Sequence, residues 1–423
     1  MGFLFTVVYI TLTILSPADL FPTLGEYRIM LWLAGVAVLA SASGVFSARC
    51  LKLPQFYLVL GFIVAVCLSH ALNGWFGGVP PTLERFLPVV IVFFLIIWNV
   101  TTLPRLWFLA GLLIVIAMYL ISVGASAYYS GAEEDPYLYI QRVPDSNGEV
   151  RRYPRIRALG SLNDPNDFAQ FLTILLPFLV AAWRPGRRAR NFLICLLPAA
   201  AVAYGIYLTN SRGALLALAL MTVFLLAERL GKKKAMLLAP FAFALILALN
   251  QSGRAISIQE DSARGRVDAW SEGLGMFKDR PLWGVGAGLF TDRYELTAHN
   301  SFVLCLAELG LLGSFFWLAV IVATVTGLGA VIRNWQGDPA DHDVRLVKAV
   351  RLSLYTLLAT SWFLSRTYSM TLYLGLGIAS AVPGMFGDAG EPAPPRRSWA
   401  AVTMMVLPAA IFVVYVTVRL RGL

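Results

Sequence analysis

Apolar runs recur from one end of the chain to the other. They lie near residues 2–17, 29–48, 55–73, 86–101, 105–128, 167–183, 191–209, 213–230, 235–250, 300–332, 352–367, 370–386 and 400–418. A run of about 20 apolar residues is long enough to cross a bilayer as a helix. Short of a closed barrel, only helices satisfy the backbone of such runs in hydrocarbon. The pattern predicts an all-α, polytopic integral membrane protein of about 12–13 transmembrane helices. It forms a single transmembrane domain over residues 1–423, with sizeable loops at about 129–166 and 251–299. The run 300–332 is long for one crossing, and "ELGLLG" (308–313) reads as a break or a re-entrant start. The first run lacks a basic flank and a small-residue cleavage site, so it reads as a membrane helix rather than a signal peptide.

Composition agrees with the pattern. The chain is 58% hydrophobic and 14% charged, with a mean hydropathy of +0.71, far from the balance of a soluble domain. The net charge of +10 resides in short clusters between apolar runs, which argues against a nucleic-acid-binding domain. "RPGRRAR" (184–190) and "RLGKKK" (229–234) orient the chain by the positive-inside rule. Both are expected in the cytoplasm, together with the N-terminus, "ARCLK" (48–52) and the basic stretch 333–351. The rule fails at "RLRGL" (419–423), which an odd number of spans leaves outside. Either one C-terminal span is miscounted or two exposed arginines are tolerated there. On this topology the loops 129–166 and 251–299 and the turn "TNSRG" (209–213) all emerge on the outer face, where they are expected to meet at one cavity. Cys50, Cys67, Cys195 and Cys305 show no C-x-x-C spacing, and His70, His299 and His342 are scattered. No metal site and no cofactor is expected.

Four pieces of chain could carry chemistry. In "RYPRIRALGSLNDPNDFAQFL" (152–172), Asn163 to Asp167 suit a turn and a helix cap. Capping does not explain Arg152, Arg155 and Arg157 just upstream, which suit an anionic ligand or anionic headgroups. Arg212 follows in "TNSRG", where an arginine in the bilayer costs about 2.5–3.5 kcal/mol unless paired. Snorkelling to the headgroups explains Arg212 equally well. Residues 266–277 form an amphipathic helix with Arg264 and Arg266 at its start, and guanidinium forks match phosphate oxygens. Gly284-x-Gly286-x-Gly288 after it is too short for a dinucleotide fingerprint. Finally, His299 and Asn300 stand at the start of the run 300–332. A lone histidine there is most often an interfacial or capping residue. Arginines on the same side raise the alternative of a base acting on a hydroxyl.

With these residues in view, the chain resembles the O-antigen ligase/polymerase superfamily of bacterial membrane glycosyltransferases. The resemblance rests on "RALGSLNDPNDFA", "TNSRGALLALAL", "GRVDAWSEGLGMFKDRPLWGVGAGLF" and "AHNSFVLCLAELGLLG", in that order, over roughly residues 150–330. It implies a GT-C-like membrane fold in the bacterial inner membrane. It also implies metal-independent, inverting transfer at the periplasmic face from an undecaprenyl-diphosphate-linked glycan. By match to the family's motifs, Arg212 and Arg266 bind the diphosphate and His299 acts on the acceptor hydroxyl. Arg157 and Asn166 take binding or structural roles, Arg264 joins the phosphate-binding group, and Asn300 fixes where His299 points.

The superfamily includes ligases that load lipid A–core, polymerases that join lipid-linked repeats, and protein O-glycosyltransferases. The histidine-bearing outer loop favours the ligase type. A transporter is the rival from another class, and it predicts midplane charges and inverted repeats. Charges within the runs are sparse, no repeat is apparent, and Arg366 in "LSRTYSM" lies near an outer turn.

Overall fold

The computed structural model describes residues 1–21, 23–24, 27–45, 47–144, 150–248, 261–338, 341–386 and 398–421. The fold is an all-α, multi-pass membrane architecture. Among the described residues, seven helices are long and apolar enough to span: Pro54–Ala71, Phe76–Asn99, Leu103–Ser130, Arg188–Thr209, Arg212–Leu230, Ser301–Arg333 and Trp399–Leu420. Shorter apolar helices are Gly2–Leu15, Ile29–Ala40, Pro165–Ala181 and Met370–Met385. Two elements depart from the hydropathy pattern. The run expected at 352–367 is a helix that starts at His342 and stops at Ser361, leaving 362–369 as an irregular turn. The loop 129–166 contains an antiparallel hairpin, β1 (Leu138–Pro144) and β2 (Val150–Ile156), with Gln141 opposite Tyr153 and Leu138 opposite Ile156.

The chain divides into two compact units, each discontinuous in sequence. Unit 1 comprises Met1–Ala40, Thr102–Ser252 and Gly337–Thr360. Small residues set its close helix contacts, as expected where lipid offers no hydrophobic drive for helix association. A Cβ on Gly205 would lie 2.7 Å from the side chain of Ile121, so Ile121 of Leu103–Ser130 packs directly against the backbone of Leu197–Thr209. The helix Pro165–Thr173 is almost wholly buried. Two buried polar bonds join this region to the helix His342–Ser361: Gln170 Nε2 donates to Thr360 Oγ1 at 2.5 Å, and Ser353 Oγ to the carbonyl of Ile174 at 2.7 Å.

Unit 2 comprises Ser41–Thr101, Gly253–Gln336 and Ser361–Leu423. Its centre is Ser301–Arg333, where Gly61 of Pro54–Ala71 receives the ring of Phe316. This helix is broken. Gly310 has φ 60° and ψ −156°, which separates the carbonyls of Ala307 and Glu308 from the amides that a continuous helix would supply. The loop after Asp279 replaces the lost bonds on both sides. Val285 and Gly286 N–H donate to the carbonyls of Ala307 and Glu308, each at 3.0 Å. In return, Leu311 and Leu312 N–H donate to the carbonyls of Pro281 and Leu282 at 2.8 and 3.0 Å. Irregular backbone is tolerated in a membrane helix only when it finds such partners. The glycine spacing in "WGVGAG" therefore serves this docking. Gly284 has φ 70°, and a Cβ there would overlap the backbone of Glu308 and Leu309.

Candidate functional site

Each unit holds one cluster of the residues singled out in the sequence, and each is built from its own elements. In unit 1 the cluster forms around Arg155 on β2, a buried guanidinium. Its Nε donates to the carbonyl of Thr209 at 2.7 Å, its Nη2 to Asn166 Oδ1 at 3.0 Å, and its Nη1 to Gln141 Oε1 at 3.2 Å. Ser211 Oγ donates to the same Asn166 oxygen at 2.9 Å. The hairpin, the start of Pro165–Thr173 and the turn 209–213 are thereby latched together. Asp164 caps Pro165–Thr173 by accepting from Asn166 N–H at 2.8 Å. In the turn, Asn210 adopts the left-handed conformation (φ 52°), and Ser211 caps the helix Arg212–Leu230.

Arg212 thus sits half-buried at the first position of a 19-residue helix, where the helix dipole and backbone N–H groups favour an anion. The other arginines of this loop are engaged locally. Arg157 donates to the carbonyls of Pro136 and Asn163 at 2.9 and 3.3 Å, and Arg152 pairs with Glu133 at 2.6 Å on the surface. The anionic ligand that Arg155 suggested from the sequence is replaced, for that residue, by internal carbonyl and amide oxygens. Hydrogen bonds from a charged group contribute about 1.5–3 kcal/mol each. Arg155→Ala is therefore expected to lower the unfolding midpoint sharply and to reduce activity with it. Arg155→Lys, which reaches at most one of the three acceptors, should recover only part of either in a paired stability and activity assay.

In unit 2 the helix Asp261–Asp279 lies along the segment that leads into Ser301–Arg333. Gly273 receives Val303, whose Cγ1 would stand 2.7 Å from a Cβ there. Trp270 Nε1 donates to the carbonyl of Ala298 at 2.9 Å, one residue before His299. Arg266 lies one turn before Trp270 and so on the same face; it is half-buried. Arg264 falls in the first turn of this helix, and its side chain lies outside the described residues.

His299 itself is half-buried and has φ 48°, a conformation uncommon for a residue with a Cβ. The next residue, Asn300, is buried and is the cap of Ser301–Arg333. Its Oδ1 accepts from Phe302 and Val303 N–H at 2.9 and 3.0 Å.

The structure also brings in Arg366, which sequence reasoning placed only near an outer turn. Ser301 Oγ accepts from Arg366 N–H at 2.8 Å and donates to the carbonyl of Leu364 at 2.7 Å. Thr367 Oγ1 donates to the carbonyl of Ser301 at 2.7 Å, and Thr297 Oγ1 bonds Ser365 Oγ at 2.7 Å. The stretch containing His299 is stapled on both sides to 364–367, with Arg366 half-buried in the staple. The only signal in the sequence was an arginine between two apolar runs. Further along, Glu308 is buried, accepting from Phe290 N–H at 3.1 Å and from Tyr368 Oη at 2.8 Å. It fixes the loop's far end.

The fold and these two clusters define a multi-pass membrane protein with arginine and histidine gathered at helix starts. Residues 197–318 match the family model described as O-Antigen ligase. That match covers less than a third of the chain and supports a relationship of this stretch to the O-antigen ligase superfamily. It runs from the helix before Arg212 to beyond the break at Gly310, and it includes Arg212, Arg264, Arg266, His299 and Asn300. Arg157, Asn166 and Arg366 lie outside it. Among curated proteins, none matches the chain at a significant level.

Proposed function

We propose that the protein transfers a glycan from an undecaprenyl-diphosphate carrier to an acceptor hydroxyl at the periplasmic face of the bacterial inner membrane, in the manner of an O-antigen ligase. The acceptor oxygen attacks the anomeric carbon of the donor sugar from the side opposite the diphosphate. The carbon–oxygen bond to the diphosphate breaks, configuration inverts, and the hydroxyl proton passes to the imidazole of His299. Arg212 and Arg266 neutralise the charge that gathers on the departing diphosphate, the work a metal ion does elsewhere. Arg155 and Asn166 position the turn that presents Arg212, and Asn300 fixes the backbone that presents His299.

The observation that carries this reading is the backbone of His299. A strained left-handed conformation held between a tryptophan-bonded carbonyl and a helix cap is a built position, and such positions concentrate at functional sites. The arginine half of the reading has its own test. Removing one preorganised charge from a developing anion costs about 10²–10³ in rate. Arg212→Ala should lower kcat/KM for a lipid-diphosphate glycan donor by that factor, and Arg212→Lys should restore part of it, with activity unaffected by a chelator. Wild-type rates in Arg212→Ala would remove the arginine from the reaction. Three acceptors (lipid A–core, a second lipid-linked repeat and a serine-containing peptide) separate ligase from polymerase and protein glycosyltransferase.

A further inference from the structure

Unit 1 also holds a cavity of about 700 Å³, lined by none of the residues of its own cluster, and within the range of small-molecule clefts, about 300–1,000 Å³. Its wall is apolar, including Ile114, Val115, Met118 and Ile194, whereas its rim carries Arg184, Arg190 and His342. Val115 and Ile194 are 65% and 48% exposed, so the wall is open rather than sealed in a core.

The rim is a built arrangement. Asn191 clamps Arg184 through both main-chain groups, accepting from its N–H at 2.9 Å and donating to its carbonyl at 2.6 Å. Arg190 Nη1 donates to the carbonyl of Ala182 at 2.8 Å, and Arg345 Nη1 to that of Trp183 at 2.6 Å. The imidazole of His342 lies over Trp107 with ring centroids 4.4 Å apart. Beside the rim the chain runs as a π-helix at Phe192–Leu196, turning Phe192, Leu193 and Ile194 outward. Such turns are rare and recur at functional positions. His342 is held below the usual histidine range, by burial first and then by Arg184, Arg345 and Arg190, with Asp343 opposing. The rim therefore carries a surplus of positive charge beside an apolar wall.

We propose that this cavity binds an anionic phospholipid, its phosphate at Arg184, Arg190 and His342 and an acyl chain along Ile114, Val115 and Met118. Basic pockets between membrane helices hold anionic headgroups, and guanidinium forks bind phosphate oxygens bidentately. The apolar wall offers a free phosphate ion nothing, and the cationic rim disfavours the ammonium of a zwitterionic lipid. None of the residues assigned to transfer lines this cavity, so this site stands or falls separately from the proposed function.

The test uses the full chain in nanodiscs of equal phosphatidylglycerol and phosphatidylcholine, with co-purifying lipid counted by native mass spectrometry. Wild-type protein is expected to retain phosphatidylglycerol selectively. Arg184→Gln with Arg190→Gln should cut that preference about 25-fold, at about fivefold for each guanidinium removed. Gly111 lines the cavity, and a Cβ there meets nothing within 4 Å. Gly111→Leu should therefore fill the space and expel the lipid while leaving the rim charges in place. By NMR of labelled histidine, phosphatidylglycerol should raise the titration of His342, so lipid affinity grows as pH falls through it. Inorganic phosphate should not reproduce that rise. Equal retention of the two lipids by wild type, undiminished retention by Gly111→Leu, or the same His342 shift with phosphate alone would each overturn the proposal.

Discussion

Replacing His299 by glycine is expected to abolish glycan transfer while leaving a folded protein at least as stable as His299→Ala. The residue holds φ 48°, and the left-handed conformation costs a residue with a Cβ about 1–2 kcal/mol. Glycine removes that cost and loses about 0.5–1 kcal/mol through its freer unfolded chain. The unfolding midpoint should accordingly stand at or above that of His299→Ala, which loses the same side-chain contacts and keeps the backbone strain. Loss of a general base typically lowers the rate by about 10²–10⁴, so transfer should fall by that factor at saturating donor. His299→Ala retains the strain and loses the imidazole, and should match the glycine variant in rate while being no more stable. Thermal unfolding and initial rates on the same preparations check the pattern. If the imidazole served only to hold the segment, both variants would transfer normally once folded.

The second large effect concerns folding. Gly284→Ala should leave little protein in the native state. The alanine must keep φ near 70° while its Cβ overlaps the main chain of Glu308 and Leu309. No rotamer relieves an overlap with backbone. Left-handed strain and overpacking together exceed about 3 kcal/mol, a large share of the about 5–15 kcal/mol that holds a domain together. The break at Gly310 would then lose the loop that satisfies it, exposing four main-chain groups inside the bilayer. The yield of monodisperse detergent-extracted protein measures this directly. Gly288→Ala is the control, because a Cβ there meets nothing within 4 Å although its φ is 76°. Equal loss in both variants would assign the effect to backbone strain alone.

The membrane helices were legible because hydropathy over some 20 residues is a local property of the chain. The break in the long run 300–332 was legible too, through the glycines of "ELGLLG". The sequence could not say what satisfies the break, because the loop that docks there starts almost 30 residues earlier. The hairpin was missed for a different reason. Its strands are short and polar, and only the "NG" at 147–148 between "LYIQRVP" and "VRRYPRI" signalled a turn. Within the clusters, Asn300 was expected to fix His299 and does act as the cap of the following helix. Arg155 looked like one of three equivalent arginines, and nothing local distinguished it from Arg152 or Arg157. Its burial depends on Thr209, Gln141 and Asn166 arriving from three other stretches. Arg366 could be placed only near an outer turn, because the staple to Ser301 joins residues 65 positions apart.

The most direct measurement is transfer itself, with purified protein in proteoliposomes containing a lipid-diphosphate-linked glycan and the acceptor panel. Wild-type protein is expected to move the glycan to one acceptor and release the lipid diphosphate in equal amount, while His299→Gly leaves the donor intact. Donor left untouched by wild type with every acceptor, or consumed equally fast by His299→Gly, would contradict the account.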